Sequence, residues 1–316
     1  MTINMCKTFT GLVNQRQHSP LTAAGRLARL RAKKDPQEMD EFLSYLNVAL
    51  PFKGMTPAEI KKGVDTIIDR IRMSPIHIGF QANGNLFSED EFLPGGTYKS
   101  RHVLYEDKYG SLAKGKEDPN MPNHHQPIYG ALNFSGIGHI GWGRSAIVLK
   151  PHMQKFLEIH SRDTGESLWG LGEFCAMGDI DNIVPLLKDW LKTDYLQTVW
   201  PYLTEDRPVP EKLLRANSPL EAAIYREGSI IKPDDIGLIL IDQTELHTAS
   251  SPSEQNCYLT RKRALNNFQN HHNIEVVIAD FSKEKPLSEI PGYLKLQEEY
   301  RKAVMSSKSV SDFLWG

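Results

Sequence analysis

The sequence predicts an α+β fold in which a mixed or antiparallel β-sheet core follows an N-terminal helical unit. Two observations carry this prediction. Apolar residues recur at helical spacing as far as residue 73, and short segments of β-branched and other apolar residues follow from Ile76 onward. With 316 residues, 40% of them hydrophobic and 24% charged, the chain has the composition of a folded protein.

The helical unit is expected to span residues 20–73 and to follow a flexible segment at residues 1–19. A first helix is expected up to about residue 34, and a second carries Met39, Phe42, Leu43, Leu46 and Leu50 on one face. The third begins at Thr56-Pro57-Ala58-Glu59, which is a capping box with proline at the first helical position.

Residues 74–316 form the second predicted domain, which holds the sheet. The strands are expected at residues 76–80, 129–134, 145–150, about 170–176, 221–230, 236–241 and 274–279. Helices are expected at residues 180–191, about 258–270 and about 293–306. The polar segment 106–126 has no periodicity, and a segment of that length is either a functional loop or disordered.

Charge and composition exclude several classes of protein. The net charge is −2, and residues 1–75 hold 12 Lys and Arg against 7 Asp and Glu, which favours either a partner-binding surface or a solvated helical face. The chain has no basic run and no zinc-finger spacing, so nucleic acid is not an expected partner. It also has no apolar stretch of the roughly 20 residues that a membrane span needs.

The three cysteines and the N-terminal segment bear on location. Cys6, Cys175 and Cys257 are odd in number and far apart, which favours a reducing cytosol over a disulfide framework. Residues 1–19 are polar and lack the apolar core of a secretory signal peptide. Such a segment suits a non-cleaved bacterial secretion signal, and it suits a disordered end equally well.

Two features of the sequence resemble known binding motifs but lack the structural context that those motifs require. Gly136-Ile137-Gly138-His139-Ile140-Gly141 matches the dinucleotide fingerprint, but an expected strand follows it where a helix is required. The histidines, among them His124, His125, His139 and His160, lack the i, i+4 spacing of a zinc hydrolase. The sequence therefore predicts no Rossmann site and no metal site.

The strongest chemical signal is a pair of segments about ninety residues apart. Tyr129-Gly130 places an aromatic ring and an unobstructed backbone on one expected strand. Glu221 places a carboxylate at the start of an otherwise apolar strand, where a charge is costly, although it could also face solvent. An aromatic platform and a strand-borne glutamate are suited to a nicotinamide ring and a ribose hydroxyl, which indicates NAD as a substrate.

A second carboxylate is expected near the helix at 180–191. Asp179 lies just before this helix and Asp181 at its start, and either can serve as its N-cap. One of the two is therefore available for chemistry.

A series of short motifs occurs in order along residues 75–285: His77 to Phe80, Tyr129-Gly130-Ala131-Leu132-Asn133, Gly143-Arg144-Ser145-Ala146, Met177-Gly178-Asp179 and Leu220-Glu221-Ala222. The series resembles the pattern of bacterial ADP-ribosyltransferases and, within them, of the CteC-type effectors that modify a threonine of host ubiquitin. The chain departs from better-known classes, because it has Arg144-Ser145-Ala146 in place of a Ser-Thr-Ser strand. It also has Pro219 two residues before Glu221, which argues against arginine as acceptor.

The resemblance implies an ADP-ribosyltransferase-like sheet and a set of residue roles. Glu221 would bind the nicotinamide-ribose 2′-hydroxyl, and Asp179 would act as general base for a threonine hydroxyl. Tyr129 would stack on the nicotinamide, the backbone of Gly130 or Gly79 would hold its amide, and His77 would support the other ribose. Arg101 or Arg144 would neutralise the pyrophosphate. Asn133 and Ser145 complete the expected NAD-binding set.

The resemblance also implies a partner and a location. The substrate protein would be ubiquitin, docked by residues 20–73 or by the loop 106–126, and modification would block host ubiquitination. The protein is expected to be a monomeric virulence effector, delivered by type III secretion from a bacterium into the host cytosol. The alternatives are a non-catalytic effector that binds host proteins through a degenerate transferase fold and a metal-dependent hydrolase.

Overall fold

The computed structural model describes residues 38–48, 52, 54–80, 92–93, 97–99, 128–132, 145–161, 174–177, 180, 183–192, 195–205, 207, 209–210, 213, 221–224, 230–246, 263, 265–266, 269–280 and 287–306. The helices are α1 Glu38–Val48, α2 Pro57–Met73, α3 Val184–Lys192, α4 Tyr195–Thr204, α5 Gln243–Leu246 and α6 Pro291–Ser306. Within the described ranges, 3-10 helices span Pro151–Phe156, Pro233–Asp235 and Leu287–Glu289.

The strands form two sheets. In chain order they are β1 Ile76–Phe80, β2 Phe92–Leu93, β3 Thr97–Lys99, β4 Ile128–Leu132, β5 Ser145–Leu149, β6 Leu157–His160, β7 Phe174–Ala176, β8 Glu221–Ile224, β9 Ile230–Ile231, β10 Ile236–Asp242 and β11 Glu275–Ala279. The main sheet has eight strands in the order β11-β10-β5-β1-β4-β8-β6-β7, and β2, β3 and β9 form a smaller sheet. Only the described pair β10–β11 is parallel in the main sheet, which is therefore mixed and mostly antiparallel.

The predicted α+β fold with an N-terminal helical element is confirmed. The capping box of α2 is present: the Glu59 backbone N–H donates to Thr56 Oγ1 at 3.2 Å, and the Thr56 backbone N–H donates to Glu59 Oε2 at 2.6 Å. The helix expected over residues 20–34 lies outside the described residues.

The two faces of the main sheet are covered differently. One face, called here the helical face, carries Ile78, Ile147, Ile159, Ala222 and Ile239, which pack in one continuous apolar core with helices α1 to α4. The opposite face, called the α6 face, carries Val148, Leu238 and Leu240, which pack against Tyr293, Leu296 and Tyr300 of α6. Burial of both faces accounts for the apolar character of the central strands β5 and β10.

The helices α1 and α2 share this core with the sheet. Phe42 and Leu46 of α1 and Ile60, Ile67 and Ile71 of α2 belong to the same buried cluster as the inward side chains of β1 and β5. A Cβ atom on Gly63 of α2 would lie 2.2 Å from the Trp200 ring of α4, so glycine permits a close approach of these two helices. The helices therefore cover one face of the sheet, whereas the predicted docking role of residues 20–73 stays a prediction.

Helix α6 is tied to the centre of the sheet by a buried hydroxyl. Tyr300 Oη donates to the Leu149 carbonyl at 2.9 Å and accepts from the Ile76 backbone N–H at 3.4 Å. Burial raises the pKa of Tyr300 above its usual range, so the hydroxyl keeps its proton. Among the described helices, none combines the length and apolar composition that crossing a membrane requires.

Candidate active site

Strand register brings three of the expected site strands together on the α6 face. His160 of β6 lies opposite Glu221 of β8, Glu221 lies opposite Ala131 of β4, and Ala131 lies opposite His77 of β1. Residues directly opposite one another in an antiparallel sheet point to the same face. The four side chains therefore form one row across the sheet.

A second row lies two residues further along each strand. Glu158 of β6 lies opposite Ala223 of β8, and Ala223 lies opposite Tyr129 of β4. Because side chains alternate along a strand, this row points to the α6 face as well. Tyr129 and Glu221 are thus diagonal neighbours on adjacent strands, a separation of about 7–8 Å that an aromatic side chain can span.

Alanine lies directly opposite Tyr129, whereas His160 lies directly opposite Glu221. Both Tyr129 and Glu221 are half-buried, and Ala131 and Ala223 lie beside them in the two rows. If the register of β1 and β4 is continued from His77–Ala131, Gly79 falls on the other side of Tyr129. The row positions next to Tyr129 are therefore occupied by alanine and glycine.

The pairing of β1 with β4 ends close to this ring. Within the described strands, β1 pairs with β4 only at Ile76–Leu132 and His77–Ala131, whereas it pairs with β5 as far as Phe80. A Cβ atom on Gly130 would lie 2.6 Å from the His77 carbonyl oxygen, so it would point toward the neighbouring backbone. The described pairing of β1 with β4 thus ends at His77 and Ala131, and Gly130 permits the close approach of the two strands.

His77 lies beneath α6. Its side chain is 1% exposed, its ring meets Tyr293 edge-on at 5.7 Å between centroids, and Nε2 lies 3.3 Å from Tyr293 Oη. Burial lowers the pKa of His77 to about 3, so the ring is neutral near pH 7. Nδ1 has no hydrogen-bond partner among the residues that the structure describes. Contact between this ring and a ribose requires Tyr293 or its helix to move.

The structure separates Ser145 from Tyr129 and Glu221. Ser145 lies on β5, beyond β1 and β4, so it is three strand spacings or roughly 14 Å from Glu221. It alternates with Ala146 and so points to the helical face, where its Oγ donates to Glu245 Oε2 at 2.7 Å and accepts from the Asp242 backbone N–H at 3.0 Å. These contacts give Ser145 a structural role at the end of β5.

Four predicted site residues lie outside the described residues: Asp179, Arg101, Arg144 and Asn133. Their assigned roles as general base, pyrophosphate partner and NAD-binding residue stay predictions. The described part of the predicted site thus consists of Glu221, Tyr129, Gly79, Gly130 and His77.

Two buried polar residues on the α6 face are absent from the predicted set. Glu158 is 2% exposed and His160 is 0% exposed, and Glu158 Oε1 lies 3.1 Å from His160 Nε2. A signal for them exists in the sequence, because Leu157-Glu158-Ile159-His160 alternates between apolar and polar residues. That alternation is the pattern of a strand, and it puts Glu158 and His160 on a common face.

Within the described ranges, no group of three or more His, Cys, Asp or Glu side chains has the arrangement needed to hold a metal ion. Glu158 and His160 therefore need an explanation in terms of hydrogen bonds and charge.

Comparison with known proteins identifies no relative. No protein-family model matches the chain, and no curated protein matches it at a significant level. The residues and geometry of the site are therefore the basis for inferring its function.

Proposed function

We propose that the protein is a mono-ADP-ribosyltransferase that cleaves NAD and transfers ADP-ribose to a threonine hydroxyl of a host protein. The observation that carries the proposal is the diagonal arrangement of Tyr129 and Glu221 on adjacent strands, with Ala131 and Ala223 beside them. This arrangement suits a stacked nicotinamide ring whose ribose lies next to a carboxylate.

The proposed reaction begins with cleavage of the bond between the ribose C1′ and the nicotinamide nitrogen. The electron pair of that bond leaves with nicotinamide, which becomes neutral, and positive charge develops on the ribose. Glu221 accepts a hydrogen bond from the 2′-hydroxyl and lies close to the developing charge, so it stabilises the transition state more than the ground state. Tyr129 holds the departing ring by stacking.

Transfer is completed by the acceptor. The threonine oxygen forms a bond to C1′, and its hydroxyl proton passes to a general base, for which Asp179 is the candidate. The products are ADP-ribosyl-threonine, nicotinamide and a proton. The backbone of Gly130 or of Gly79 is proposed to hold the nicotinamide amide, since Gly130 directly follows Tyr129 on β4.

The partner and location follow from the resemblance and belong to the same proposal. Ubiquitin is the proposed acceptor, and the protein is proposed to be a monomeric bacterial effector, exported through a type III secretion system, that acts in the host cytosol. The charged exposed surface of α2 and the segment 106–126 are the proposed docking elements. The half-buried position of Glu221 is what favours catalysis over a purely binding role, because a binding surface has no need of a carboxylate within a sheet.

Incubation of the protein with biotin-labelled NAD and a cell lysate tests the proposal. We expect a covalently labelled band that mass spectrometry identifies as ubiquitin, and labelling that survives a strong chelator. The Glu221→Gln variant is expected to label at least about 100-fold more slowly, because removal of one charge-stabilising group typically costs that much. Asp179→Asn is expected to reduce transfer as well.

A matched control is Glu299→Gln, which removes an exposed carboxylate on α6 and is expected to label at the wild-type rate. Absence of any labelled protein with the folded wild type would reject the transferase in favour of the non-catalytic effector. Equal rates for wild type, Glu221→Gln and Asp179→Asn would reject the assigned mechanism. Loss of labelling with chelator would indicate a metal-dependent enzyme.

A further inference from the structure

Among the described strands, β11 forms one edge of the main sheet. It pairs with β10 along its whole length, from Glu275 to Ala279, and it ends the strand order on that side. No described strand lies on its outer side, so some of its backbone N–H and C=O groups point away from the sheet. An edge of this kind can accept a further strand.

The two edges of the main sheet differ in length and in protection. The strand β7, at the opposite edge, has three residues, whereas β11 has five. Proteins usually prevent pairing at an edge by a short strand, by Lys or Pro within the strand, or by a β-bulge. The sequence of β11 is Glu-Val-Val-Ile-Ala, and its register with β10 is continuous. The β11 edge therefore has none of these three forms of protection.

Ile278 is the exposed apolar side chain of this strand. Val276 packs against the core of the helical face, whereas Val277 and Ala279 pack against the cluster of the α6 face. Because side chains alternate, Ile278 points to the helical face like Val276, yet 44% of it is exposed. It is one of three large apolar side chains that are exposed in the part of the chain that the structure describes. A strand added to β11 would cover it.

Acidic residues stand at both ends of the apolar segment. Glu275 is exposed at the start of β11, and Asp280 directly follows its last residue. Continued alternation puts Asp280 on the same face as Ile278, and Glu275 on the other face. In neighbouring strands, opposite charges that face each other stabilise the pair, and like charges destabilise it. The edge is therefore complementary to a strand that is apolar at its centre and carries Lys or Arg on either side.

We propose that the β11 edge binds an extended segment of a protein partner, which adds a strand to the main sheet. The segment has an apolar residue opposite Ile278 and basic residues opposite Glu275 and Asp280. Backbone hydrogen bonds supply affinity, and the side chains supply selectivity. The edge is five strand spacings, or roughly 24 Å, from Glu221, so the proposal concerns partner recognition at a second place on the molecule.

Selection of short random peptides displayed on phage tests the proposal, with the full-length protein as bait. We expect the enriched peptides to alternate apolar and polar residues and to carry Lys or Arg on either side of an apolar centre. A synthetic peptide of the enriched sequence is expected to slow hydrogen exchange at the backbone amides of β11 and to leave those of β7 unchanged. Failure to enrich any such peptide, or unchanged exchange at β11, would overturn the proposal.

The Ile278→Lys variant tests the contact at the centre of the edge. It is expected to bind the peptide about 10-fold more weakly or worse, because an apolar contact is lost and the new charge repels a basic peptide. Glu275→Gln is expected to weaken binding and to make it less sensitive to salt. Met305→Lys is the matched control, since it introduces the same charge at an exposed apolar residue of α6 and is expected to bind like the wild type. Equal affinities of the wild type and Ile278→Lys would contradict the proposal.

A second copy of the chain is the alternative occupant of this edge. Light scattering would reveal it as a dimer that forms with rising concentration, and a dimer that Ile278→Lys dissociates would overturn the proposal of a different partner. If Ile278→Lys does not fold, the exchange measurement decides, because it needs only the wild type. Neither measurement uses NAD, so their outcome is independent of the proposed transferase activity.

Discussion

Burial controls the chemistry of single side chains on the α6 face. His77 is enclosed by α6 and stays neutral, whereas Glu221, two strands away in the same row, is half-buried and accessible. A neutral imidazole can donate and accept hydrogen bonds, whereas an accessible carboxylate can approach a ligand. The same face of one sheet thus offers two quite different environments within about 10 Å.

The low pKa of His77 predicts that acid destabilises the protein. The unfolded chain takes up this proton near pH 6.5, whereas the buried ring takes it up only near pH 3. Between these values the unfolded state binds more protons, so the free energy of unfolding falls by up to about 1.4 kcal/mol for each pH unit below 6.5. Urea unfolding at neutral pH and at about two units lower measures this dependence.

The His77→Phe variant isolates the contribution of His77 to the pH dependence of stability, because every other titrating group is shared with the wild type. The variant is expected to show a shallower loss of stability in acid and to keep the aromatic contact with Tyr293. Parallel pH dependences for the two proteins would show that His77 is not enclosed in this way.

At the scale of elements, the approach of β1 to β4 depends on a single glycine. A Cβ atom at Gly130 would lie 2.6 Å from the His77 carbonyl oxygen, next to the last described pair of the two strands. Any larger residue has to push the strands apart or distort them. The spacing of the strands beside Tyr129 is therefore sensitive to this position.

Gly130→Ala is predicted to destabilise the protein by about 1–3 kcal/mol, since the new methyl group meets a backbone oxygen that cannot rotate away. Gly237→Ala on β10 is the matched control, because its methyl group would meet the side-chain tip of Leu296 at 2.7 Å, and that side chain can adjust. The loss of stability in each variant is measured from its urea unfolding midpoint, provided that the m-value is unchanged. A larger loss of stability in Gly237→Ala than in Gly130→Ala would contradict this explanation.

Local sequence patterns predicted many of the elements. The capping box predicted the start of α2, and alternating or β-branched segments predicted β1, β4, β5, β10 and β11. Helix α4 was missed, since Pro201 lies inside it and removes one intrahelical donor, and burial of Val199, Trp200 and Leu203 compensates. Strand β6 was missed because four residues give a weak periodic signal.

The site was only partly predictable for a related reason. Local patterns placed Tyr129 and Glu221 on strands, but no local pattern states that β8 pairs with β6, or that His160 lies opposite Glu221. For Ser145, a local motif suggested a contact, and the structure shows different partners. Its place in a motif predicted a ligand contact, whereas its position on β5 directs it to Glu245 and Asp242 on the helical face.

At the scale of the whole molecule, one core joins the N-terminal helices to the sheet. Because α1 and α2 cover the apolar residues of β1 and β5, the helical unit and the sheet depend on each other for burial. A docking function for α2 therefore has to reside in its exposed residues, such as Lys62, and not in a separable module.

A chain that begins at residue 74 is predicted not to fold. Its loss of α1 and α2 would expose Ile78, Ile147 and other residues of the helical face, so we expect no cooperative urea transition and aggregation in its place. Lys62→Glu is the control, since it reverses an exposed charge on α2 and is expected to unfold at the wild-type midpoint. A cooperative, wild-type-like transition of the truncated chain would contradict the shared core.

The contact between Tyr300 and the sheet has a consequence for how the protein is made. Tyr300 binds the backbone of Ile76, which precedes it by 224 residues, as well as that of Leu149. A ribosome releases β1 and β5 long before it releases α6, so the nascent chain carries an uncovered row of Val148, Leu238 and Leu240 during that interval. Until translation passes residue 300, the emerging chain is a natural client for a chaperone that binds apolar strands.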